Sequence, residues 1–234
     1  MEVDRILHRN REQQQLHRFL LAGVSSIHLS GLSGTGKSLV LRRQLEQLQS
    51  SICVEIQCPE CSHSQRALFG EVLRKILDAV PDPGGLAQVK LKCHTAYDFI
   101  QSLSYILNHK QFPKECRKAV IVLDGVDSLR FLPANTIPLL LKLPHFITAP
   151  ALKNNATVIL VSQMPFYKLH AGFGVVPETF CSFPAYSKGI RTYCHWTAFS
   201  KQEPYSRFQT SPPQTRPHAH VWLVMLHWWV TGVA

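Results

Sequence analysis

An α/β fold, in which a parallel sheet is wrapped by helices and followed by an irregular C-terminal tail, is predicted by three observations. Residues Gly31 to Ser38 read GLSGTGKS, the pattern G-x-x-x-x-G-K-[ST], and stand between a strand-like run and a helix-like run. Ala119-Val120-Ile121-Val122-Leu123 is an apolar run rich in β-branched residues that ends on Asp124. It suits a strand buried on both faces with a carboxylate at its C-terminal end. Strand-like and helix-like stretches then alternate over the first 190 residues, the order that lays βα crossovers onto a parallel sheet and puts the ligand at its carboxyl ends.

The elements follow in order. A helix is expected around Glu12 to Ala22, then a first strand at Ser26-Ile27-His28-Leu29-Ser30. Leu39, Leu41, Leu45 and Leu48 recur at helical spacing after the glycine-rich loop. Ile52 to Gln57 reads as a second strand, and Ser64 to Val80 as a helix with Leu68, Val72, Leu73, Ile76 and Leu77 on one face. Pro81-Asp82-Pro83-Gly84-Gly85 breaks the chain, and Thr95-x-x-Asp98 is a capping box for a helix carrying Phe99, Leu103, Ile106 and Leu107. Strand three ends at Asp124, and a helix is expected near Thr136 to Leu143. A fourth strand runs from Thr157 to Val161 into Ser162-Gln163, and a short fifth is expected near Thr179 to Phe183.

The loop chemistry accounts for its residue types. Gly31, Gly34 and Gly36 let the backbone take positive φ, so that N–H groups of the loop, with Leu32, Ser33 and Thr35 between the glycines, face an anion at a helix N-terminus. Lys37 is expected on the β- and γ-phosphates and Ser38 on Mg²⁺, with Asp124 beside the magnesium and holding its water shell. A nucleotide with magnesium is therefore the expected ligand. Position 125 is glycine, and no carboxylate follows Asp124 directly to aim at an attacking water. Asp127 is expected to N-cap a helix beginning Ser128-Leu129-Arg130.

Composition bounds the class. With 45% hydrophobic and 17% charged residues the chain is long and apolar enough to bury a core. The net charge of +10 is uneven, with five basic residues against one acid from Lys188 onward. That excess is compatible with a nuclear or nucleic-acid-associated protein, and charge alone does not establish contact with DNA. The charged opening Met1-Glu2-Val3-Asp4-Arg5 lacks the form of a secretory signal, so an intracellular location is expected. The apolar run Val221 to Val230 contains His227 and falls far short of the ~20 residues that cross a bilayer, so no membrane association is expected. Seven cysteines in an intracellular chain argue against a disulfide framework. Cys58-Pro59-Glu60-Cys61 has no second ligand pair at finger-like spacing and reads as a strand-end turn with buried thiols rather than a zinc site.

One family combines these segments. Arg11-Glu12 before the first helix, GLSGTGKS, CVEIQCPEC, QRALFGEVLRKIL, CHTAYDFI, AVIVLDGVDSLR, ATVILVSQ and FCSFPAYS together resemble the subunit 5 family of the eukaryotic origin recognition complex, from about Arg9 to Ile190. The resemblance implies an AAA+ ATP-binding domain over residues 1–190, other origin recognition subunits as partners, origin DNA engaged through the complex, a nuclear location and a part in initiating DNA replication. It places Ser162 where AAA+ proteins carry the polar residue that reads the γ-phosphate. It also implies a glutamate after Asp124 and an arginine finger before the fifth strand, and this chain has neither: no arginine lies between Arg130 and Arg191. ATP held structurally with little hydrolysis is the expectation. The alternatives are a self-sufficient P-loop ATPase or phosphotransferase and a truncated form that assembles with nothing. Residues 191–234, rich in Pro, His and Trp, depart from the lid and winged helix of the family and read as a disordered or alternative tail. An alternative splice form or an imperfect gene model would explain it; docking through Trp222, Trp228 and Trp229 is the other reading.

Overall fold

The computed structural model describes residues 9–48, 51–79, 93–108, 118–146, 156–169 and 175–186. All lie within the unit Met1–Ser187. The break at Pro81 to Gly85, the boundary at 190 and the tail lie outside the described residues.

The element order is α1 (Asn10–Leu21), β1 (Ser26–Ser30), α2 (Lys37–Glu46), β2 (Ser51–Gln57), α3 (Cys58–Cys61), α4 (Gln65–Asp78), α5 (Ala96–Asn108), β3 (Lys118–Asp124), a 3-10 turn (Val126–Phe131), α6 (Thr136–Phe146), β4 (Ala156–Ser162), α7 (Phe166–Leu169) and β5 (Thr179–Ser182). Five strands form one sheet in the order β2-β3-β4-β1-β5, every neighbouring pair parallel. The α/β class and parallel sheet are as the sequence predicts. Parallel pairing forces each connection to cross a face, so helices cover both sides and the central strands read as apolar runs. β4 is buried at all seven positions.

The strand register gives the sheet two interleaved faces. Val54, Ile56, Ile121, Leu123, Val158 and Leu160 pack under α4, α5 and α6, with Phe69 stacked on Phe99 at 4.3 Å between ring centroids. Ile27, Leu29, Val120, Val122, Ile159 and Val161 pack against Leu16 and Leu20 of α1 and Val40 and Leu41 of α2. Helix starts follow their caps. Ser64 accepts the Ala67 N–H at 3.0 Å, and Thr95 and Asp98 exchange the two bonds of the expected capping box, each 3.1 Å.

The leucine spacing marks α2 as expected: Leu41 is buried and Leu45 and Leu48 pack against the same cluster, while Leu39 is 61% exposed and Val40 and Gln44 take the other buried places. Two expectations are corrected. The cysteine turn is a one-turn helix, α3, started by Pro59 at a position where a missing N–H costs nothing. Its thiols are buried as expected, and burial pushes the Cys58 thiol far up. Asp127 caps no helix beginning at Ser128, because it already lies inside the 3-10 turn that follows Gly125.

The register also aligns the strand ends. Ser30 pairs with Ser162 and Asp124 with Val161, so the carboxyl ends of β1, β4 and β3 form one rim. No described helix is long and apolar enough to cross a membrane.

Candidate nucleotide-binding site

The loop from β1 to α2 is built as the motif requires. Gly31, Gly34 and Gly36 all have positive φ, 156°, 74° and 86°. A Cβ on Gly31 would lie 2.4 Å from the Phe183 carbonyl oxygen, so glycine there is needed for the close backbone approach of the segment after β5. Thr35 closes the turn by donating to the Leu32 carbonyl at 2.8 Å. Gly36 caps α2 with no side-chain acceptor, which leaves the first N–H groups of the helix facing the loop. Lys37 is buried, and its ammonium donates to the carbonyls of Gly31 at 2.5 Å and Leu32 at 2.9 Å. Burial holds its pKa below the usual lysine value, and the charges of Asp124 and Asp127 oppose that shift.

The facing wall comes from the ends of β3 and β4. Asp124 starts two strands from β1, roughly 10 Å away at about 4.8 Å per strand, and α2 closes the gap: Ser38 Oγ donates to Asp124 Oδ2 at 3.0 Å. Loop and wall enclose a cleft of about 320 Å³ lined by Ser33 to Leu39, Asp124, Gly125, Asp127 and Val161 to Gln163. The residues from Gly31 to Ser38 and Asp124, which come from separate parts of the sequence, are thus brought together. Backbone N–H groups and a lysine suit phosphate oxygens, and a hydroxyl paired with a carboxylate suits a hard cation.

Gly125 explains why no base follows Asp124. The chain turns there at φ 74°, ψ 38°, and its N–H donates to Val161 O at 3.0 Å. A Cβ would meet Cδ and Cγ of Pro59 at 3.0 and 3.1 Å. Position 125 therefore carries no side chain for reasons of backbone and packing together. Asp127 points its carboxylate back across the rim, where it accepts from the backbone N–H of Gln163 at 2.7 Å and of Met164 at 3.2 Å. This replaces the capping role expected from the sequence.

Ser162 lines the cleft but turns its hydroxyl inward. It is 2% exposed, its Oγ donates to the Met164 carbonyl at 2.5 Å, and His28 Nε2 lies 2.8 Å from it. Because the serine proton goes to Met164, His28 must donate through Nε2, and its Nδ1 has no partner among the described residues. His28 packs edge-on against Phe166 and Phe180. Burial lowers its pKa from 6.5 to about 4, against a smaller opposite effect of Asp127. The unfolded chain therefore binds a proton between pH 6.5 and 4 that the folded chain refuses, so stability is full above pH 6.5 and falls as the pH drops toward 4. The loss is expected to reach about 3 kcal/mol. Urea unfolding of wild type and His28→Gln across this range checks it: the variant is expected to lack that part of the pH dependence.

Arg9 carries no sequence signal, since an arginine ahead of a polar helix reads as solvated. It is 2% exposed, bonded to Glu12 at 2.9 Å and to the Pro184 carbonyl at 2.6 Å, and it lies 4.1 Å from the Tyr186 ring centroid. It pins the start of α1 to the segment Phe183 to Tyr186, whose Phe183 carbonyl abuts Gly31. Gln163, exposed on the cleft wall, was likewise passed over as the end of a strand.

Comparison with known proteins gives a consistent assignment. The AAA ATPase domain model matches residues 5–152. Origin recognition complex subunit 5 of Drosophila melanogaster is 31% identical over 155 residues, which cover 64% of this chain and 30% of that protein. A chain in the structure of the Drosophila origin recognition complex bound to DNA superposes with a TM-score of 0.65 at 25% identity, over 84% of this chain and 48% of that one. The ORC2 protein of Aeropyrum pernix shares the fold, with a TM-score of 0.56 at 15% identity over 84% of this chain and 52% of that one. The present chain thus spans less than half the length of either Drosophila chain. With the glycine loop, the Ser38–Asp124 pair and the 2-3-4-1-5 sheet in one domain, the chain belongs to the AAA ATPase domain family and is similar to origin recognition complex subunit 5.

Proposed function

We propose that the chain binds ATP with magnesium in this cleft as a structural ligand, with little turnover, and serves as the subunit-5-like member of an origin recognition complex. The observation that carries the reading is the pairing of a complete cradle with a barred base position: Ser38 bonds Asp124 at 3.0 Å, while Gly125, the next residue, is closed to a side chain by its φ and by Pro59. The residues fit the ligands. Backbone N–H groups of Gly31, Leu32, Ser33, Gly34, Thr35 and Gly36 would hold phosphate oxygens, Lys37 the β- and γ-phosphates, and Ser38 with Asp124 the magnesium. When bound, the metal would offset the charge between phosphate and carboxylate. Ser162 contributes its place in the wall, its hydroxyl being committed to His28 and Met164.

Such a ligand stabilises whatever state binds it by RT ln(1 + [L]/Kd), about 2.7 kcal/mol at a hundred times Kd, so nucleotide would favour the folded and assembled form. Similarity to subunit 5 supports other origin recognition subunits as partners, DNA engaged through the complex, a nuclear location and a role in initiating replication. Capture of the tagged 234-residue chain from nuclear extract, with and without ATP and with Lys37→Ala alongside, is expected to recover other origin recognition subunits in an ATP- and Lys37-dependent way. A folded chain that recovers none would exclude assembly by this form. The intact Ser38–Asp124 pair favours one alternative, a self-sufficient P-loop ATPase or phosphotransferase. Steady-state phosphate release above background, removed by Lys37→Ala, would establish that reading against the structural one.

A further inference from the structure

We infer that Cys58 and Cys61 are a redox-active dithiol, which a peroxide converts to an intramolecular disulfide when α3 opens and which a small thiol restores. Neither residue lines the nucleotide cleft, so the Cys-Pro-Glu-Cys turn has no part in the binding proposed above. Its spacing is that of dithiols that cycle between two thiols and a disulfide. Residues three apart in one helical turn have Cα atoms about 5 Å apart, inside the range of roughly 4.4–6.8 Å that a disulfide spans. A bridge across α3 therefore fits the turn as it stands. The two side chains also share surroundings: both belong to the apolar cluster under α4 and α5, at 0% and 5% exposure, and Cys61 Sγ lies 3.6 Å from the Cys58 carbonyl. Other described cysteines are placed differently. Cys53 and Cys181 pack on the opposite face of the sheet, and Cys93 lies beside Gly70 of α4. Among the described residues no group of three or more His, Cys, Asp and Glu could hold a metal ion, which leaves the sulfur chemistry of the pair itself.

The closed turn protects the thiols. Burial holds both above the ordinary cysteine pKa, and the thiolate is the form that attacks an oxidant. Reaction therefore needs α3 to open, and little holds it closed. It has four residues, Gln57 ahead of it gives no side-chain cap, and Pro59 brings no N–H. Cys61 bonds through its thiol, a weak donor, to the Gln57 and Cys58 carbonyls, each at 3.6 Å. Pro59 and Glu60 are already exposed. Once the turn opens, Cys61, the less deeply buried of the two, reacts first. Its thiolate attacks one peroxide oxygen, an S–O bond forms and the O–O bond breaks, and the leaving hydroxide takes up the thiol's proton as water. The Cys58 thiolate then attacks the sulfur of this sulfenic acid; an S–S bond forms, the S–O bond breaks, and a second hydroxide leaves as water with the Cys58 proton. The sulfurs together have lost two electrons, and one peroxide has become two waters. Two equivalents of a small thiol return the pair to thiols and leave as their own disulfide.

Hydrogen peroxide treatment of the full 234-residue chain, followed by alkylation of free thiols and digestion at glutamate, tests this. Cleavage after Glu55, Glu60 and Glu71 puts Cys58 on residues 56–60 and Cys61 on residues 61–71, so the two pieces travel together only when a disulfide joins them. The joined pieces are expected after peroxide and their separation on reduction, with the Cys58 and Cys61 thiols lost in equal amounts while Cys53, Cys93 and Cys181 are still alkylated. Urea well below the unfolding transition is expected to speed the bridge severalfold, because it favours the open turn. Cys58→Ser is expected to stop at a sulfenic acid on Cys61, which a 1,3-diketone captures, whereas Cys61→Ser is expected to leave Cys58 as a thiol. Both thiols still alkylated at peroxide levels that oxidise Cys93, either of them joined to Cys53 or Cys93, or a bridging rate that urea leaves unchanged would overturn the inference. A diketone adduct on Cys58 in Cys61→Ser would overturn the order of attack. The wild-type digest needs no variant to fold, so it decides the pair even if either substitution unfolds the chain.

Discussion

Lys37→Ala is expected to raise the dissociation constant for ATP by two to three orders of magnitude while leaving the ligand-free protein nearly as stable as before. The ammonium sits at a cleft wall that also carries Asp124 and Asp127, and both carboxylates favour its charged form against the cost of burial. A polyphosphate entering without that cation would meet the two carboxylates of the wall with one cationic partner fewer to offset them. Hydrogen bonds to charged groups contribute about 1.5–3 kcal/mol each, so losing Lys37 costs about 3–4 kcal/mol of binding. The folded state responds differently. Among the described residues the ligand-free ammonium bonds to the Gly31 and Leu32 carbonyls, at 2.5 and 2.9 Å, and the desolvation it suffers offsets much of that gain. Thermal unfolding with and without saturating ATP separates the two effects. The ATP-induced shift is expected to vanish in Lys37→Ala, and Lys37→Met, which keeps the packed alkyl stem, is expected to match it. A shift that survives in both would mean that the loop is not where nucleotide binds.

Gly125→Glu is expected to destabilise the domain by about 2–4 kcal/mol and to bring no phosphate release. The substitution places a carboxylate directly after Asp124, so on sequence alone it supplies the missing base. The structure opposes it on two counts. A non-glycine residue in the left-handed region costs about 1–2 kcal/mol, and position 125 is there at φ 74°. The new Cβ would also meet Pro59 ring carbons at 3.0 and 3.1 Å, in a helical turn anchored on both sides by buried Cys58 and Cys61. Overpacking against a held group adds about 1–3 kcal/mol. Gly125→Ala is expected to show most of the same loss, and Gly125→Asn less, because asparagine tolerates the left-handed region. Pro59→Ala in the Gly125→Glu background is expected to recover the packing part and leave the backbone part. Denaturant midpoints measure each loss, and a Gly125→Glu protein of wild-type stability would show that the Pro59 contact yields.

Much of the fold was legible because its signals are local. The buried runs at 119–123 and 157–161 could only be interior strands, and the capping box at Thr95 and Asp98 marks its helix start with two bonds between residues three apart. Short helices were not legible: α3 and α7 have four residues each, about one turn, so no period exists to detect. On α2, Leu39, Val40 and Leu41 are all apolar, and periodicity alone does not say that Leu39 is the one left exposed.

For the site, the same division follows the range of each interaction. The amino-acid sequence by itself determined the conformation of the glycine loop, since positive φ at Gly31, Gly34 and Gly36 is a property of a few contiguous residues. It also determined that a carboxylate ends an interior strand at Asp124. Tertiary structure alone decided what the other rim residues do. The place of Ser162 at the end of β4 follows from the chain, while the bond of its hydroxyl to His28 on a neighbouring strand, 134 residues away, does not. Asp127 was read as a cap from its neighbours, yet it holds the end of β4. Glycine at 125 read as an omission, while Pro59 on another element makes it a requirement. A backbone conformation is written in adjacent residues, but the hydrogen-bond capacity of a side chain is finite, and which partner uses it depends on the strand order that brings distant groups within 3 Å.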